Sequence, residues 1–111
     1  MSRGLLIREL PDSERPRERL LANGADALKK SELIAILLRT GMKGVSAIQV
    51  AEELLKRFGT LDNLSRATVA DLRLTKGIGR DKAVTLMAAF TLARLMAKEI
   101  LDVVCPIFFA Q

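Results

Sequence analysis

The residues with the most chemistry available to them are Lys76, Gly77, Ile78, Gly79, Arg80 and Lys82. Two glycines flank one aliphatic residue between two helix-like stretches. Glycine reaches positive φ without steric cost and lets another molecule's backbone come close to the main chain. The amides from Gly79 into the first turn after Arg80 are expected to be helix N-terminal donors, which lack intrahelical acceptors and sit where the helix dipole favours an anion. Around the turn stand Arg73, Lys76, Arg80 and Lys82 against Asp81 alone, a positive excess suited to phosphates. Ile78 has a structural task, tucking between the two helices. The plain alternative is an ordinary helix connection with a glycine cap, since Gly-x-Gly alone carries little weight.

Most other chemistries are excluded by composition. The chain has no histidine and one cysteine, Cys105, so an internal disulfide is ruled out and the commonest metal ligand and general base are missing. No metal, cofactor or catalytic residue is expected. Cys105 has no basic neighbour to activate it and is expected to pack as an apolar side chain. The net charge of +5 suits an anionic partner, although modest positive charge is also common without one. All four aromatics are Phe, which disfavours a single-strand binder that stacks bases on exposed rings. Backbone-directed binding to duplex or branched DNA fits better. No stretch reaches the roughly 18 apolar residues of a membrane span, and Leu5-Leu6-Ile7 is too short for a signal-peptide core. The expectation is a cytoplasmic protein with no membrane contact.

The elements that must hold the turn are helices. At 111 residues and 50% hydrophobic composition the chain suits one domain, and its Leu, Ala, Lys, Arg and Glu content favours an all-α class, a small helical bundle. Residues 1–15 are expected to form an irregular arm, 16–101 the helical domain and 102–111 an apolar tail. Pro16 opens a helix that Asn23-Gly24 stops. Ser31 is a candidate N-cap for a helix from Glu32 to about Arg39. Ser46 and Gln49 form a capping-box pattern for a helix running to about Phe58, ended by Gly59. Leu61, Leu64 and Ala67 are expected in a short apolar link. Thr68 should cap the first helix of a pair spanning about 68–97, whose second member begins after Gly79. The segment Val103 to Phe109 is expected to lie extended against the helices, with an exposed partner-binding strip as the alternative.

An apolar helix, Gly-Ile-Gly, flanking basic residues and Ala83 four positions after Gly79 together resemble the helix-hairpin-helix motif. That resemblance implies a grip on nucleic-acid backbone without base reading. A weaker parallel lies upstream, where Leu37 to Gly44 matches Leu72 to Gly79 in outline, with two residues rather than one between its glycines. Its functional reading is a second, degenerate hairpin using Arg39, Thr40, Gly41, Lys43 and Gly44, so that two hairpins contact both strands of a duplex. Its structural alternative is a helix connection whose glycines satisfy turn geometry.

The order of elements adds a wider likeness. Glu14 to Leu21 (ERPRERLL), Ser31 to Gly41 ending in LLRTG, and Lys76-Gly77-Ile78-Gly79 together resemble the N-terminal region of the RadC family, over roughly residues 8 to 98. The resemblance implies a helical DNA-repair-associated domain, normally followed by a JAB-type metal domain whose histidine ligands this sequence lacks. Among catalytic helix-hairpin-helix proteins, DNA glycosylases carry a lysine two positions after the second glycine. Here that place holds Asp81, and Lys82 lies about 100° further round the helix. The expected function is therefore a non-catalytic, sequence-independent DNA-binding module. The alternative is a protein-interaction or dimerisation module using the same hairpins and the apolar tail.

Overall fold

Local capping decides where the helices begin and end. The computed structural model describes residues 15–109, with side chains as far as Val104, so the N-terminal arm before Arg15 and the side chain of Cys105 lie outside the described residues. Six α-helices occur among them: α1 Pro16–Asn23, α2 Lys30–Leu38, α3 Ala47–Phe58, α4 Leu61–Ser65, α5 Val69–Arg73 and α6 Arg80–Phe109, with a 3-10 turn at Ala25–Ala27. The all-α bundle expected from composition is what forms. Ser46 and Gln49 close the capping box at α3, the Ser46 hydroxyl accepting from the Gln49 N–H at 3.2 Å and the Gln49 side chain from the Ser46 N–H at 2.8 Å. Thr68 and Asp71 do the same for α5 at 3.1 and 3.2 Å. Gly59, at φ 85°, ends α3 as expected.

Three boundaries differ from the sequence expectation. The N-cap of α2 is Lys29 rather than Ser31, because the Glu32 carboxylate accepts from the Lys29 N–H at 2.9 Å and draws Ser31 into the helix. Glu32 is also paired with Arg19, which fastens α1 to α2. The link after Gly59 contains the helix α4, started by the Thr60 hydroxyl accepting from Asn63 N–H at 3.1 Å. Residues 102–109 are not an extended tail, since α6 continues unbroken to Phe109.

The core sits between α2, α3 and the first third of α6. Ile34, Ala35 and Leu38 meet Ala47, Val50, Ala51 and Leu54, whose three- and four-residue spacing puts them on one face of α3. Leu64, Ala67, Leu72, Ile78, Ala83 and Leu86 complete it. Burying each such leucine contributes about 2 kcal/mol. Beyond Phe90 the packing stops, and every residue from Thr91 to Val104 is exposed along a helix that stretches the molecule to 59 Å by 34 Å by 24 Å.

Candidate nucleic-acid interface

The α5–α6 connection is a tight turn closed over two residues. The Ile78 N–H donates to the Thr75 carbonyl at 3.1 Å, and between them Lys76 and Gly77 form the tip, with Gly77 at φ 92°. A positive φ at the third position is the mark of a type II turn and the reason for glycine there. Thr75 and Ile78 are buried and anchor the turn from both sides, while Lys76 is left exposed. A Cβ on Gly77 would also come within 3.0 Å of the Val50 side chain. The Gly79 carbonyl then accepts from Ala83 N–H at 3.0 Å, which makes Gly79 the N-cap of α6.

The α2–α3 connection builds the same turn one step differently. Val45 N–H donates to the Met42 carbonyl at 2.9 Å over Lys43 and Gly44, with Gly44 at φ 79°. The Ser46 carbonyl accepts from Val50 N–H at 3.0 Å, making Ser46 the N-cap of α3. Lys43-Gly44-Val45-Ser46 therefore corresponds to Lys76-Gly77-Ile78-Gly79. Aligning glycine with glycine in the sequence instead sets Gly44 against Gly79, although one is a turn residue and the other a helix cap.

Upstream of this shared turn the two connections part. Leu38 O accepts from Thr40 N–H at 2.8 Å around Arg39, which is held at φ 70° and ψ −51° in a strained γ-turn. Gly41 is fixed by close packing, since a Cβ would lie 2.0 Å from the Val45 carbonyl oxygen. One side chain ties the two connections together: the Lys82 ammonium donates to Leu38 O at 2.7 Å and to Thr40 Oγ1 at 3.0 Å. That contact places a cation at the C-terminal end of α2, where the helix dipole favours it.

The residues singled out by sequence thus fall into two groups. Lys76, Gly79 and Arg80 stand exposed together at the start of α6, with Arg39, Thr40, Lys43 and Gly44 exposed on the neighbouring connection. Ile78 and Gly41 serve packing, Gly77 serves the turn, and Lys82 is half-buried in its tie to α2. An open cleft of about 470 Å³ runs beside the first connection, lined by Arg15, Arg39, Lys43, Ser46 and others, and none of the described residues on its walls is acidic. A second groove of about 470 Å³ lies between α3 and Leu74-Thr75-Lys76, and Met42 and Val45 line both. Sequence reasoning misses this second groove. Of its wall residues on α3 the sequence singles out only Gln49, as a cap, and only the four-residue spacing that it shares with Glu53 and Arg57 hints at a common surface.

Electrostatically the site is simple. Accepting from the Thr68 N–H and then from the Thr68 hydroxyl holds the Asp71 carboxyl below the usual carboxylate value, against the opposing effect of desolvation and with a lesser contribution from Arg57 in the lowering direction. Among the described residues no group of acidic or cysteine side chains could hold a metal, and no helix is long and apolar enough to cross a membrane.

The fold and these two turns define a small helical module that presents cations beside helix N-termini. Residues 7–84 match the UPF0758 N-terminal family, and the chain belongs to the UPF0758 family. It is 49% identical over 93 residues to a UPF0758 protein of Staphylococcus aureus (strain Newman), covering 84% of this chain and 41% of that protein. Against a UPF0758 protein of Geobacillus kaustophilus (strain HTA426) identity is 51% over 89 residues, covering 80% and 39%. The UPF0758 protein of Staphylococcus carnosus (strain TM300) is 44% identical over 98 residues, covering 88% and 43%. The chain thus spans about two-fifths of the length of the relatives it matches. No solved structure matches it.

Proposed function

We propose that this chain is a non-catalytic DNA-binding module that grips the phosphate backbone at the Gly77-Ile78-Gly79 turn without reading bases. The observation that carries this reading is Gly79. Its φ is not in the left-handed region, it is exposed, and a Cβ there would meet nothing within 4 Å. Neither packing nor φ requires glycine at that position, and its absent side chain leaves clearance at the helix start for something outside the chain. The amides it uncovers open α6, and exposed Lys76 and Arg80 flank them. The cationic walls of the cleft beside Arg39 and Lys43 extend the same potential to the neighbouring connection. The reading carries with it what the RadC resemblance implies, a helix-hairpin-helix role in DNA repair in the cytoplasm.

The test is binding to duplex DNA across a salt series. The double variant Lys76→Ala/Arg80→Ala should bind more weakly, and its log-log salt slope should fall by about 0.9 for each phosphate that is no longer neutralised. Unchanged affinity and slope would overturn the reading.

A second reading, protein contact, is favoured by one observation of its own. Leu92, Leu95, Met96, Ile100, Leu101 and Val103 are each at least half exposed on the projecting part of α6. Concentration-dependent sedimentation, together with an absence of salt-sensitive DNA binding, would establish that reading in place of the first.

A further inference from the structure

The groove between α3 and the α5–α6 connection differs in kind from the cationic surface beside it. Gln49, Glu53 and Arg57 are spaced four residues apart, so they stack along one face of α3 and form one wall. Leu74, Thr75 and Lys76 form the other, over an apolar floor at Val50. Glu53 stands among its walls with Arg57 and Lys76, so the groove is less cationic than the cleft beside the first connection. Arg57 is held to Thr75 Oγ1 at 3.2 Å and lies 5.7 Å from the Phe58 ring centre. Leu74 stands at the rim with 68% of its surface in water, an aliphatic side chain between Arg73 and Lys76. The Gln49 carbonyl oxygen already accepts from Ser46 N–H, which leaves the amide NH₂ as a donor, and Glu53 is an acceptor. A ligand with an apolar face and hydrogen-bonding edges complements the apolar Met42, Val45, Val50 and Leu74 and the polar Gln49 and Glu53, and about 470 Å³ lies within the range of small-molecule sites.

We propose that this groove receives an unpaired base of a DNA duplex, with Leu74 wedged into the interrupted stack, so that the protein selects bulged over continuous duplex. The proposal rests on the DNA-backbone reading, which supplies the neighbouring phosphate contacts at Lys76 and Arg80. Apolar wedges enter base steps at the cost of unstacking them, and that cost is least where a base is already unpaired. A leucine beside a lysine meets both needs: the lysine holds the strand and the leucine fills the step.

The experiment uses the full chain, a labelled continuous duplex and the same duplex carrying one bulged base, compared by fluorescence anisotropy. The wild-type protein should bind the bulged duplex about fivefold more tightly. Leu74→Ala should bring that ratio to one and leave affinity for continuous duplex unchanged, with an unaltered melting temperature, as befits an exposed side chain. Arg80 lies outside the groove, so Arg80→Ala should weaken both duplexes alike and keep the ratio. Equal wild-type affinity for the two duplexes, or a ratio that survives Leu74→Ala, overturns the groove proposal and leaves backbone binding standing. No salt-sensitive binding to either duplex overturns both.

Discussion

The α2–α3 and α5–α6 connections share a turn and differ in the helix cap that succeeds it. Each closes Lys-Gly between a buried or half-buried aliphatic residue and its partner, and each hands the chain to a helix N-cap two residues after the glycine. In the first, that cap is Ser46, 4% exposed, whose hydroxyl takes up the Gln49 amide while Gln49 answers at the Ser46 N–H. In the second, it is Gly79, exposed and without a side chain. One helix start satisfies itself and the other leaves its donors to solvent or to a ligand. The lesson is that a repeated backbone need not repeat a function, because a single hydroxyl can occupy the place of an anion.

The glycines should separate most widely under mutation. Gly41→Ala drives a Cβ into the Val45 carbonyl oxygen and should cost about 4 kcal/mol or more in urea unfolding, enough to threaten folding altogether. A well-folded Gly41→Ala protein would show that the first connection can relax, and the contrast would lose its steric basis. Next in size is Lys82→Met, which removes the ammonium from Leu38 O and Thr40 and should destabilise by about 1.5 kcal/mol. If stability is unchanged and the DNA salt slope falls, Lys82 belongs with the phosphate-binding cations instead. Arg39→Gly relieves the γ-turn and should stabilise by about 1 kcal/mol, the strain released exceeding the chain entropy that glycine adds. A destabilised variant would mean that the arginine side chain holds the turn.

Gly79→Ser copies the first connection onto the second and sharpens the comparison most directly. Self-capping should raise stability by only about 0.3 kcal/mol, whereas duplex affinity should fall because the hydroxyl competes for the amides. Increased or unaltered affinity would refute the open-cap explanation. The smallest effect is that of pH on Asp71. Its folded pKa is lowered, so its contribution to α5 is present above the unfolded value of 3.8 and is lost as pH falls through the folded value. The protection factors of the α5 amides, corrected for the intrinsic pH dependence of exchange, should therefore fall below about pH 4 in the wild type, and Asp71→Asn should lack that step.

The caps are legible from sequence because their chemistry is local: Ser46 with Gln49, Thr68 with Asp71, and glycine after Phe58 all lie within one helical turn of their partners. The α2 start is misread because a buried glutamate can cap as well as a serine, and Glu32 is fixed by Arg19 from another helix. The repeat is visible but in the wrong register, since turn glycines and cap glycines look alike as letters. The role of Lys82 is invisible, for its acceptors lie 44 and 42 residues away in the chain. Nor can composition tell that Leu92 to Val104 lie outside the core, because helical periodicity identifies an apolar face without identifying what covers it.

The thinning of neighbours along α6 predicts that opening is uneven along this helix. Residues Arg80 to Phe90 are clamped by Ala83 and Leu86 in the core and can open only when the bundle opens. From Thr91 onward the same helix relies on its own propensity and the exposed Lys98–Asp102 pair at 3.2 Å, without the tertiary packing from which most helical stability in proteins comes. Two free-energy scales therefore coexist on one continuous rod, with the crossover within a turn of Phe90, where tertiary protection ends and helix–coil fraying begins.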